Sequence, residues 1–168
     1  MPPHRLLLIR HAKAGDGSVD ADRPLTEKGL RRATAIGTWL ESNGLVPDRV
    51  LVSPARRAGQ TWEQAAAQLA SAPDPVVEER IYDNTVEALL AAIRETPDDV
   101  RTLAVLGHNP SIGSLAAEVD DGEGSQTARR DLHAGFPTGA VAVFDLVPRF
   151  ADVAADTATL AALAVPGD

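Results

Sequence analysis

The sequence predicts an α/β fold: a three-layer α/β/α sandwich around a mostly parallel central sheet. Short, continuous apolar runs at Arg5–Arg10, Arg49–Ser53 and Arg101–Gly107 read as strands buried on both faces. Segments with helical apolar spacing separate them, as crossovers between parallel strands require. At 168 residues, with 44% apolar and 24% charged composition, the chain is sized as one domain over 1–168.

Each element has a local reason. The first strand ends in charge at Arg10 and His11, and the Gly-, Asp- and Ser-rich stretch 14–24 reads as a loop. Thr26 caps a helix to about Ser42, with Leu30, Ala33, Ile36, Gly37 and Leu40 on one face and Asn43-Gly44 ending it. The second strand, 49–53, leads into a helix from about Ala55 to Leu69. After a turn at 71–75, Val76–Glu79 is a candidate third strand. Asn84 or Thr85 caps a helix through Glu95, with Val86, Leu89, Leu90 and Ile93 at helical spacing. Beyond the strand at 101–107, Pro110 stands where a helix begins, running to about Glu118. Residues 120–138 read as an irregular charged loop, and 140–146 with 159–165 as a hairpin pair. The Ala- and Asp-rich stretch 151–158 is linker-like but too short to divide domains.

Composition narrows the chemistry. The chain has no cysteine, which removes disulfides, thiolate metal sites and thiol nucleophiles. A formal charge of −8 argues against general nucleic-acid binding, which needs a basic footprint. No apolar run approaches the length of a membrane span, and Leu6–Ile9 is too short for a signal-peptide core, so the cytoplasm is the default location.

The distinctive residues collect after strands, where open α/β sheets bind ligands. Arg10-His11-Ala12 follows the first, Ser53-Pro-Ala-Arg56-Arg57-Ala-Gly-Gln-Thr61 the second, and His108-Asn109-Pro110 a later one. Parallel strands would converge two histidines and at least two arginines on one rim. Arginine's planar fork suits the non-bridging oxygens of a phosphoryl group, and neutral imidazole is a competent nucleophile. Flanking arginines should favour the neutral ring. Helices starting near Ala55 and Pro110 would add backbone donors.

These motifs resemble the histidine phosphatase superfamily, which includes the cofactor-dependent phosphoglycerate mutases. Leu8-Ile-Arg10-His11-Ala12 is similar to its RHG signature, and Leu25-Thr-Glu-Lys-Gly29 to its PLTxxG segment. Ser53–Thr61 resembles SPxxRAxQT, Gly107–Pro110 the second-histidine motif, and Phe136–Ala140 a segment of the small branch. The resemblance implies a phosphoglycerate mutase-like fold. It makes His11 the phosphoryl acceptor, Arg10 and Arg57 phosphate ligands, and His108 the second histidine at the phosphoryl group. It implies no metal and no organic cofactor. Arg56 falls at a variable position and reads as an exposed neighbour. Ala12 replaces the usual glycine, and no glutamate acid is recognisable in Glu79–Asn84, where Asp83 is the one candidate.

A short chain with a weak acid position looks like the SixA-type phosphohistidine phosphatases. A phosphoramidate leaves more readily than an alkoxide, which benefits from a positioned acid by roughly 10²–10⁴ in rate. Expected partners are therefore a phosphohistidine-bearing protein of a phosphorelay or a small phosphate ester, with neither nucleic acid nor membrane. The alternatives are a small-molecule phosphomonoesterase of the same superfamily and a non-catalytic phosphate-binding module. Asp16, Asp20 and Asp22 read as a solvated loop, Trp39 and Trp62 as core, and His4 and His133 as surface. Asn109 reads as a cap for the helix that Pro110 opens.

Overall fold

The computed structural model describes residues 4–167. In chain order the elements are β1 (His4–Arg10), α1 (Glu27–Ser42), β2 (Arg49–Val52), α2 (Arg56–Ala66), β3 (Val76–Val77) and α3 (Val86–Arg94). Then follow β4 (Thr102–Gly107), α4 (Ser111–Val119), α5 (Gln126–Ala134), β5 (Val141–Leu146) and β6 (Ala158–Ala164). The strands form one sheet in the order β3-β2-β4-β1-β5-β6. β1, β2, β3 and β4 pair in parallel, whereas β5 runs antiparallel to both β1 and β6.

Alternation along β1 divides the core into two. Leu6 and Leu8 pack with Leu89, Ile93, Ile112 and Leu115 of α3 and α4 on one face. Leu7 and Ile9 pack with Ile36, Leu40 and Trp62 of α1 and α2 on the other. A strand with apolar side chains on both faces needs helices on both sides, and the three-layer arrangement follows.

Caps appear where the sequence signals them. Thr26 accepts a hydrogen bond from the Gly29 amide at the start of α1. Thr85 rather than Asn84 caps α3, accepting from the Ala88 amide. Trp62 is buried, and Trp39 is partly buried against the same core.

Several expectations need correction. Residues 120–138 are not one irregular loop, because α5 occupies Gln126–Ala134 with Ser125 as its cap. Only Ala128 and Leu132 of α5 are buried, an anchor of two residues among charged neighbours. So sparse a stripe has no readable period. β3 is two residues long and exposed on both, and a turn of 3₁₀ helix at Glu79–Asp83 replaces its continuation. Residues 151–158 are no linker: Val153 and Ala158 are buried, as is Phe150 just before them. His4 is half-buried, with Nδ1 on the Val100 carbonyl and its ring edge-on to Phe150.

Register sets the functional rim. Arg10 of β1 lies level with Gly107 of β4, and Val52 of β2 level with Leu106. The ladder continues one step, with the His11 amide donating to Gly107 and the Ser53 amide to Leu106. His11, Ser53 and His108 therefore emerge together at the carboxyl edge.

Candidate active site

At that edge a cavity of about 440 Å³ is lined by Arg10, His11, Arg57 and His108, the four residues that the sequence singles out. The imidazoles of His11 and His108 lie 5.2 Å apart between centroids, tilted by 58°. Both are almost fully buried, as is Arg57.

His11 has a determined tautomer. Its Nδ1 sits 2.7 Å from the Ala12 carbonyl oxygen, which can only accept, so Nδ1 carries the proton. Nε2 keeps its lone pair. Burial first, and then the charges of Arg57, Arg10 and Arg23, push the His11 pKa down to about 4. Burial likewise pushes His108 down to about 4, helped by His11 and Arg57. Both rings are neutral at pH 7.

The guanidiniums are anchored yet unfinished. Arg10 donates through Nη1 to the Phe136 carbonyl, and Arg57 through Nη1 to the Asp20 carbonyl. Nε of Arg10, Nε of Arg57 and Nδ1 of His108 are all buried without a partner among the described residues. Buried polar nitrogens rarely go unpaired, and such clusters mark functional ground.

The second-strand motif is legible residue by residue. Ser53 Oγ lies 2.7 Å from His108 Nε2. Arg57 enters the cavity, whereas Arg56 is exposed. Gln60 accepts from the Leu25 amide, and Thr61 accepts from the Ala12 amide while donating to the Arg57 carbonyl. Helix α2 thus fastens the loop that follows β1. Gly29 serves the same junction, since a Cβ there would stand 2.0 Å from the Lys13 carbonyl oxygen.

In comparison with known proteins, the family model of the histidine phosphatase superfamily (branch 1) matches residues 6–100. The chain belongs to that superfamily. An uncharacterised protein of Mycobacterium tuberculosis is 35% identical over 161 residues, 94% of this chain and 99% of its own. Phosphohistidine phosphatase SixA of Escherichia coli is 33% identical over 124 residues, 71% of this chain and 76% of its own. A solved structure assigned to SixA of Nakamurella multipartitia superposes with a TM-score of 0.87 at 33% identity, covering 100% of both chains. The SixA structure complexed with tungstate gives 0.78 at 27% identity, covering 96% of this chain and 97% of that one. The protein is a phosphatase of the SixA type.

Sequence reasoning missed one part of the phosphatase's cavity. Asp20, read as a member of a solvated loop, is indeed exposed, but it lies at the rim of the cavity and pairs with Arg57. Its carboxylate accepts from Arg57 Nη2 at 3.1 Å, from Arg23 Nη1 at 3.1 Å and from the Tyr82 hydroxyl. Hydrogen bonds from Tyr82, then Arg23 and Arg57, hold it far below the usual carboxylate range. Nothing in the spacing of residues 14–24 signals the cavity contacts, because Arg57 and Tyr82 are 37 and 62 residues away. Asp83 is exposed and absent from the lining, whose only carboxylate is Asp20. Pro110 rather than Asn109 is the N-cap of α4, but Asn109, one residue earlier, still holds the helix start, its Oδ1 accepting from the Gly113 amide and its Nδ2 donating to the Phe136 carbonyl. Asn84 orients the same helix, accepting from the Ser111 amide and donating to the Asn109 carbonyl.

Proposed function

We propose that the phosphatase hydrolyses phosphohistidine, or a related phosphoramidate on a protein, through a covalent intermediate on Nε2 of His11. The observation that carries this reading is the free Nε2 lone pair of a neutral His11 inside a cavity walled by Arg10, Arg57 and His108.

In the first step the Nε2 lone pair attacks phosphorus, a new P–N bond forms and the substrate P–N bond breaks. The departing imidazole keeps the electron pair and takes or retains a ring proton. In the second step water attacks phosphorus, the P–N bond to His11 breaks, and inorganic phosphate leaves. Arg10 and Arg57 stabilise the charge on the non-bridging oxygens throughout, since phosphoryl transfer depends chiefly on positioning and charge.

The acid inventory favours an N-linked substrate. Asp20, the one carboxylate of the lining, is ionised in the free enzyme and has no proton to give at neutral pH. An alkoxide would leave without help, whereas an imidazole leaves readily once protonated. SixA of Escherichia coli is described as a phosphohistidine phosphatase, and the SixA structure complexed with tungstate, a tetrahedral oxyanion, as a protein histidine phosphatase.

The test compares ³²P-phosphohistidine protein with a panel of phosphate esters. The wild type should become transiently labelled by the first and turn it over faster than the esters. His11→Ala should neither be labelled nor turn over. Faster turnover of an ester would overturn the substrate assignment, and binding without labelling would overturn the covalent route.

A further inference from the structure

The hydrogen bond between Ser53 and His108 lies outside the charge network that accounts for the anion pocket. Ser53 Oγ is 2.7 Å from His108 Nε2, and both residues are almost fully buried. The same oxygen accepts from the Ala55 amide at 3.2 Å. A serine hydroxyl has a single proton to give. Among the described residues, the only acceptor the Ser53 hydroxyl meets is His108 Nε2.

Two proton arrangements are conceivable. With the proton on Nε2, the ring would donate to Ser53, and the serine proton would be buried with no acceptor. Nδ1 would then present a lone pair, on a ring that lines a cavity built for oxyanions. With Ser53 donating to Nε2, the serine proton has its acceptor and the ring proton falls on Nδ1. That nitrogen is buried and has no partner among the described residues. An orphaned donor beside an anion cavity has a use, whereas an orphaned lone pair facing phosphoryl oxygens would repel them.

We propose that Ser53 is a positioning residue that fixes the tautomer of His108, holding the neutral ring with its proton on Nδ1 as a hydrogen-bond donor to the phosphoryl group. The assignment rests on the reading of the cavity as the phosphoryl site. It explains why a neutral hydroxyl, rather than a carboxylate, backs this ring. A carboxylate would favour the imidazolium, whereas a hydroxyl orients a neutral ring without charging it. Burial and His11 already keep His108 uncharged at pH 7.

The test reads the tautomer directly. In ¹⁵N-histidine-labelled wild type at about pH 7, His108 should show a protonated Nδ1 and an unprotonated Nε2. Adding tungstate should move the Nδ1–H resonance. Ser53→Ala should shift the ring toward the alternative tautomer and lower kcat about tenfold, the worth of one hydrogen bond. Ser53→Thr should restore both. A proton on Nε2 in the wild type would overturn the proposal, and this measurement needs no variant to fold. Loss of the tautomer preference in Ser53→Ala without loss of kcat would also overturn it. These readouts are independent of which phosphorylated substrate is preferred, so a failed substrate assignment would leave them interpretable.

Discussion

The acid limb of the rate profile gives a sharp test of the active-site electrostatics. In the proposed mechanism His11 must be neutral to attack, and its pKa is lowered from 6.5 to about 4 by burial and by three arginines. At pH 5 a midpoint near 4 leaves about 90% of His11 neutral, whereas a midpoint of 6.5 would leave about 3%. The two cases differ by about 30-fold in reactive enzyme at that pH. The assay is kcat/KM between about pH 3.5 and 8, which reports the free enzyme, corrected for substrate ionisation measured by phosphorus NMR. A ¹⁵N titration of the four histidines, with His11→Asn for assignment, gives the midpoint without turnover. Binding of a dianion should raise the His11 midpoint, so the kcat limb should lie above the kcat/KM limb. A corrected half-maximal rate near 6.5 would refute the argument. Stability obeys the same linkage. Both buried imidazoles bind protons more weakly folded than unfolded, so their contribution is complete above about 6.5 and is lost as pH falls toward about 4.

Arg57→Ala should cost at least about 100-fold in kcat/KM, while Arg56→Ala should be nearly silent, and equal losses would break the assignment of α2. Asp20→Asn removes the negative charge that shares Arg57 with the incoming anion. Tungstate inhibition should tighten several-fold, discounted for the exposure of the carboxylate; weaker inhibition would mean that Asp20 chiefly positions Arg57. Gly37→Ala would place a Cβ 2.1 Å from the Ala65 carbonyl oxygen where α1 crosses α2, and urea unfolding should show a loss of about 1–3 kcal/mol.

Much of the fold was legible because its elements advertise themselves locally. β1, β2 and β4 are unbroken apolar runs, and α1 and α3 carry a cap and a stripe of the right period. The elements that escaped lack those signals. α5 shows two buried side chains in nine residues, and β3 is two exposed valines. Their conformation is imposed by neighbours, with α5 lying against β6 and β3 taking the edge beside β2.

The site divides along the same line. That His11, Arg10, Arg57 and His108 share one cavity could be expected from the sequence, because three lie at or just beyond a strand's carboxyl end and Arg57 in the first turn of α2, each within a short motif whose spacing is itself the signal. Which nitrogen of His11 is free, what Asp20 binds and how Ser53 meets His108 were decided only by the tertiary structure. Those facts depend on hydrogen bonds only a few ångströms long, most of them between residues dozens of positions apart. Local spacing along a chain reports which surfaces are buried and where a backbone turns. The direction in which one buried proton points is settled by whatever the fold brings to face it.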